Sequence, residues 1–168
     1  MLIPSLKYPV SILAMAAAAY MLMPALVHAE GAKAFAKFVG NWSGSGKIFL
    51  STGKQENIRC RGGFSPVEAI SGESMKLELR CANETFNFEL QSEINYSGGQ
   101  VTGIWTERTR GLNGRLSGKL NGDEINAVVE SQTFSATMDL INNGDKQQVR
   151  ITSPGSEMSD VLIGLNRK

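Results

Sequence analysis

From residue 41 onward, apolar and polar residues alternate with a period of two, in short runs divided by turn-forming clusters. Trp42, Gly44, Gly46, Ile48 and Leu50 share one parity, as do Ile58, Cys60, Gly62 and Phe64. Met75, Leu77, Leu79 and Cys81 follow, then Phe86, Phe88, Leu90, Ile94 and Tyr96, then Val101, Gly103 and Trp105. Leu112, Gly114, Leu116, Gly118 and Leu120 alternate with Asn113, Arg115, Ser117, Lys119 and Asn121. Ile125, Ala127 and Val129 come next, then Phe134, Ala136, Met138 and Leu140. Val149 with Ile151, and Val161 with Ile163 and Leu165, complete the series. Each run reads as a half-buried strand, and turn signals spaced about every 8 to 12 positions point to an all-β barrel or sandwich.

The turns favour a meander. Ser97-Gly98-Gly99, Asn121-Gly122-Asp123 and Asn143-Gly144-Asp145 have hairpin compositions, because Gly and Asn adopt positive φ at low cost. A meander this long removes its exposed edges by closing. The expected fold is therefore a single antiparallel up-and-down β-barrel of about 8–10 strands. Ahead of it, residues 31–40 (GAKAFAKFVG) place Ala32, Phe35, Ala36 and Val39 at helical spacing. That predicts one or two helical turns, stopped by Gly40.

The two cysteines test the register. Cys60 and Cys81 lie opposite each other if paired residues of strands two and three sum to 141, which centres the hairpin between Ile70 and Ser71. The same register sets Phe64 against Leu77 and Gly62 against Leu79 on the apolar face. Pattern, turn position and pairing geometry all predict a buried cross-strand disulfide. On the polar face, Arg61 falls opposite Arg80, with Arg59 and Lys76 nearby. This is either a patch for an anionic partner or a solvated face neutralised by Glu56, Glu78 and Glu84.

Residues 1–29 have a different composition. Lys7 is the only charge, Val10–Met23 is uncharged and rich in Ala, Leu and Met, Pro24 breaks the run, and Val27-His28-Ala29 is a small-x-small site. This order predicts a secretory signal peptide cleaved after Ala29, leaving one domain over 30–168; the alternative is an uncleaved membrane anchor. Cleavage leaves no membrane span and implies a periplasmic or secreted protein. It also leaves sixteen basic residues against sixteen acidic ones. That balance argues against nucleic acid or an anionic membrane as partner. His28, the only histidine, leaves with the signal peptide. Histidine-based catalytic triads, His-ligated metals and His-ligated haem are thereby excluded. No nucleophile–base pair is suggested either, so the sequence reads as a non-enzyme with no cofactor and no metal.

Glu107, in GIWTERTR, shares parity with Trp105. It either points inward near one barrel end or is turned out by a bulge. The inward aromatics either pack as core or line a cavity. The candidates for lining a ligand cavity are Trp42, Phe86, Phe88, Trp105, Glu107, Leu116, Phe134 and Met138, with Ala127 and Ala136 leaving volume on one side.

Gly40-Asn41-Trp42, after a helical turn and opening strand one, resembles the Gly-x-Trp signature of lipocalins and the wider calycin barrels. The resemblance implies that Trp42 lies across a closed barrel end with a basic residue packed on it, and Arg167 follows strand ten. It further implies an exported carrier of a small apolar ligand. Lipocalins usually carry eight strands and a C-terminal helix; the strand count here is closer to the ten-strand fatty-acid-binding relatives. The chain is also similar to small exported proteins of Gram-negative bacteria. Two alternatives remain: a periplasmic protease inhibitor acting through an arm at residues 30–37, and an envelope structural protein with a protein partner and no small ligand.

Overall fold

The computed structural model describes residues 34–67 and 73–168. Ten strands follow in chain order: β1 (Gly40–Leu50), β2 (Gln55–Val67), β3 (Glu73–Ala82), β4 (Asn87–Ser97), β5 (Gln100–Glu107), β6 (Leu112–Asn121), β7 (Glu124–Ser131), β8 (Ser135–Asn143), β9 (Lys146–Thr152) and β10 (Met158–Arg167). Each pairs antiparallel with its neighbours in sequence, and β1 also pairs with β10, so the sheet closes into a barrel. Closure satisfies the two edges that an open meander would leave to aggregate.

The alternation drives this arrangement. Side chains of one parity point inward, and the core that they form includes Ile48, Ile58, Met75, Ile94, Ile125 and Ile163, all nearly inaccessible to solvent. A one-residue slip would turn every one of them out to water, so the register is strongly specified. Gly122 and Gly144 have φ of 61° and 69° in their hairpins, as their turn compositions require.

The β2–β3 register matches its expectation. Cys60 pairs with Cys81, Phe64 with Leu77, Gly62 with Leu79 and Arg61 with Arg80. Cys60 and Cys81 form a disulfide, with both residues buried. The centre of the hairpin lies outside the described residues. On the outer face, Arg80 reaches Glu89 of β4 at 3.4 Å and Lys76 reaches Glu78 at 3.0 Å. Neutralisation of Arg80 thus comes from a neighbouring strand rather than from Glu56 or Glu84.

The expected helical turn is present in its described part, though with different residues facing inward. Its described part is one tight turn, with Phe38 N and Val39 N both donating to Phe35 O at 2.9 and 3.2 Å. Phe35 and Phe38 are buried while Ala36 is exposed. The inward pair is three apart, because the turn is docked by its aromatic rings rather than by a full amphipathic helix face. The expected signal peptide lies outside the described residues. Among the described residues, no helix is long and apolar enough to cross a membrane.

Candidate functional site

The barrel is closed at one end and hollow at the other. At the closed end, Trp42 is fully buried and Arg167, its cross-strand partner, stacks on it with the guanidinium carbon 4.2 Å from the ring centroid. The Phe35–Val39 turn passes beneath them as a plug. Trp42 Nε1 and Gln147 Nε2 donate to Phe38 O at 3.0 and 3.2 Å. Asn142 Nδ2 and Arg167 Nη2 donate to Lys37 O at 2.8 and 2.9 Å, and Arg167 Nη1 donates to Val39 O at 2.6 Å. These bonds satisfy backbone carbonyls that burial would otherwise leave unpaired. Lys37 also forms an exposed ion pair with Asp123. Gly40 leaves room for the clasp: a Cβ there would lie 2.5 Å from Arg167 Nη1.

Glu73 completes this end. Its Oε1 accepts from Phe35 N at 3.3 Å, and its Oε2 is buried without a partner. Burial raises its pKa, and the N–H groups of Phe35 and Ala34 only partly offset that.

At the other end lies a cavity of about 330 Å³, within the size range of small-molecule sites. Its walls are largely apolar. Phe88, Trp105, Leu116, Phe134 and Met138 all line it, as does Glu107. Trp105 and Phe134 meet at 5.7 Å between ring centroids. The Trp105 N–H donates to Arg115 O at 3.2 Å, which leaves the ring as apolar wall. Gly114 lets the Trp105 ring and the β7 backbone pack close: a Cβ there would lie 2.8 Å from Trp105 Cζ2 and clash with Glu130 O.

Two of the candidate lining residues lie elsewhere. Trp42 is at the closed end, beyond the packed core. Phe86 sits in the β3–β4 turn, where its N–H donates to Asn83 Oδ1 at 2.6 Å. Leu77, Leu90, Ile151 and Val161 line the cavity and had inward parity, but nothing in their type marked them for it. Ser153, Ser156, Glu157 and Met158, on or beside the β9–β10 loop, also line it. No periodic signal runs through that loop.

Glu107 points inward and is buried. Its Oε1 accepts from Glu89 N and Thr109 N, each at 3.0 Å, and its Oε2 from Arg110 N at 2.8 Å. Arg110 Nη1 lies 3.8 Å from Oε2. Burial pushes this carboxyl up, but the N–H groups of Glu89, Arg110 and Thr109 outweigh it and hold its pKa below the usual value. Its partners make it the cap of the β5–β6 turn. Among the described residues, no group of three or more His, Cys, Asp or Glu is placed to hold a metal ion.

The segment proposed as an inhibitory arm is, over its described residues 34–37, folded against the barrel: Phe35 is buried and Lys37 O is held by two side chains.

No protein-family model matches the sequence, and no curated protein matches it. Solved structures do match the fold. One is Rv2717c from M. tuberculosis, with a TM-score of 0.64 and 14% identity over 83% of this chain and 98% of that one. Another is the S-type phycobiliprotein lyase CPES from Guillardia theta, with a TM-score of 0.58 and 10% identity over 82% and 92%. These matches show the fold alone: a closed ten-strand antiparallel barrel. The second match corrects the non-enzyme reading: a barrel of this shape serves a protein named as a lyase. That residues 30–168 carry no imidazole and suggest no nucleophile–base pair speaks against particular mechanisms, and does not exclude catalysis by such a barrel.

Proposed function

We propose that this chain is an exported carrier that holds a small apolar molecule inside its barrel. The observation that carries the reading is the cavity itself: about 330 Å³, with largely apolar walls, set in a barrel whose opposite end is plugged. Apolar wall left uncovered lacks both the transfer free energy and the dispersion contacts of a packed core. A ligand restores both. Export is supported by the signal-like run before Glu30 and by the Cys60–Cys81 disulfide, which persists in oxidising compartments.

The likeness to a phycobiliprotein lyase favours a second reading, in which the barrel presents its bound molecule for a reaction instead of storing it. The two readings share the site and differ in what leaves it.

Native mass spectrometry of the exported protein, before and after denaturation, tests the proposal. A bound organic mass lost on denaturation supports it, and a product mass differing from the bound one selects the second reading. A Trp42→Phe variant leaves Trp105 as the sole indole. A bare mass, together with Trp105 fluorescence that no apolar ligand changes, would refute the carrier.

A further inference from the structure

Three charged side chains line the cavity: Glu107, Arg110 and Glu157. They are not equally free to meet a ligand. Glu107 already accepts three backbone N–H groups, which leaves it little acceptor capacity for a ligand donor. Glu157, on the β9–β10 loop, is exposed and, as a carboxylate, offers a ligand only acceptors.

Arg110 is different. The β5–β6 turn that Glu107 caps carries it to the mouth. Its Nη1 makes two long contacts, 3.4 Å to Asn87 O and 3.8 Å to Glu107 Oε2. Its Nε and Nη2 have no partner among the described residues. The side chain is 37% exposed, so it is partly withdrawn from water while keeping donors to offer. Trp105, Phe134 and Phe88 line the same cavity.

We infer that the ligand is an amphiphilic organic anion: a ring-bearing apolar body within the barrel and an anionic group at the mouth, paired with Arg110. This deepens the carrier reading and rests on it. A carboxylate or sulfonate offers two or more acceptors to the planar fork of donors, a charge-assisted arrangement that water competes with poorly in a partly desolvated site. A cationic group would meet Arg110's like charge and find little acceptor capacity left on Glu107. A wholly apolar ligand would cover the mouth and strip water from the guanidinium without replacing it. The aromatic wall suits a ring better than a bare chain, through edge and offset contacts.

A matched pair of fluorescent probes tests this: 1-anilinonaphthalene-8-sulfonate, and N-phenyl-1-naphthylamine, which has the same ring body without the sulfonate. The exported, oxidised protein is titrated with each. The anion is expected to bind at least tenfold more tightly, and added salt should weaken the anion alone. Arg110→Gln should bring the two affinities together, weakening the anion while the neutral probe binds at least as tightly as before. Arg110→Lys, which keeps the charge and loses the fork, should retain part of the preference; it also stands in should the Gln variant not fold. Equal affinities in the unaltered protein, or a preference that persists in Arg110→Gln, would overturn the inference while the carrier reading stands. If neither probe binds, both fall.

Discussion

The two ends of this barrel solve opposite problems with the same strands. At the closed end Trp42, Phe35 and Phe38 fill the interior, and side chains from β1, β9 and β10, with Asn142 of β8, grip the carbonyls of the plug. At the open end the described side chains leave a hollow, and the wall there is held by bonds within the sheet. There the disulfide ties β2 to β3, with Cys81 paired to the cavity-lining Phe88, and Glu107 ties β4 to the β5–β6 turn.

One carboxylate at each end shows the contrast in miniature. Glu73 is half-buried, with one oxygen buried and unpaired, and its pKa is raised; Glu107 is buried and accepts three backbone N–H groups, and its pKa is lowered. Burial alone does not set the sign. The number of N–H groups aimed at the oxygens does.

The sharpest way to break the comparison is at the floor. Trp42→Ala should cost about 3–5 kcal/mol in urea denaturation, as for a large aromatic in a packed core. A loss under about 1 kcal/mol would mean that the closed end is not packed as described. Opening the disulfide, by reduction or by Cys60→Ala with Cys81→Ala, should cost about 3 kcal/mol for its loop. The β signature in circular dichroism should survive, because the other strand ladders are untouched. An unchanged melting temperature would remove the staple from the account.

Glu107→Gln comes next, at about 1–3 kcal/mol near pH 7, since an amide donor would face the N–H groups that the carboxylate now satisfies. The pH dependence has a definite sign. Because the folded pKa is lowered, the stabilisation is fully present above the unfolded glutamate value of about 4.3 and is lost as pH falls through the folded value. The gap between protein and variant should therefore close in acid. A gap independent of pH would argue against capping by the ionised form. The smallest effect is at Glu73, whose folded pKa is raised. There ionisation opposes folding as pH rises, so Glu73→Gln should be as stable as the parent or more so at pH 7, with no difference in strong acid. A clear destabilisation at pH 7 would reverse its assignment.

Much of the fold was legible in the chain. The period of two located all ten strands, and the single sum of 141 placed Cys60 against Cys81 and Phe64 against Leu77. The resemblance at Gly40-Asn41-Trp42 also anticipated Arg167 on the indole. The site was less legible. Parity set Trp42, Phe86 and Trp105 alike on the inner face, yet only Trp105 lines the hollow. Glu107 looked like a lone inward carboxylate, while its meaning comes from Glu89 N on β4, eighteen residues away.

The sequence by itself determined which face of each strand is apolar, which residues pair across β2 and β3, and where the hairpins fall. These depend on local chemistry: side chains that alternate every residue, glycines that turn, and a register that one slip would ruin. Only the tertiary structure decided how far along the barrel axis each inward side chain lies, whether anything faces it across the interior, and which donors converge on Glu107 and Arg110. Those depend on closure. Closure brings β1 against β10 and sets β5 across from the β9–β10 loop, and no alternation along a strand encodes the distance to the opposite wall.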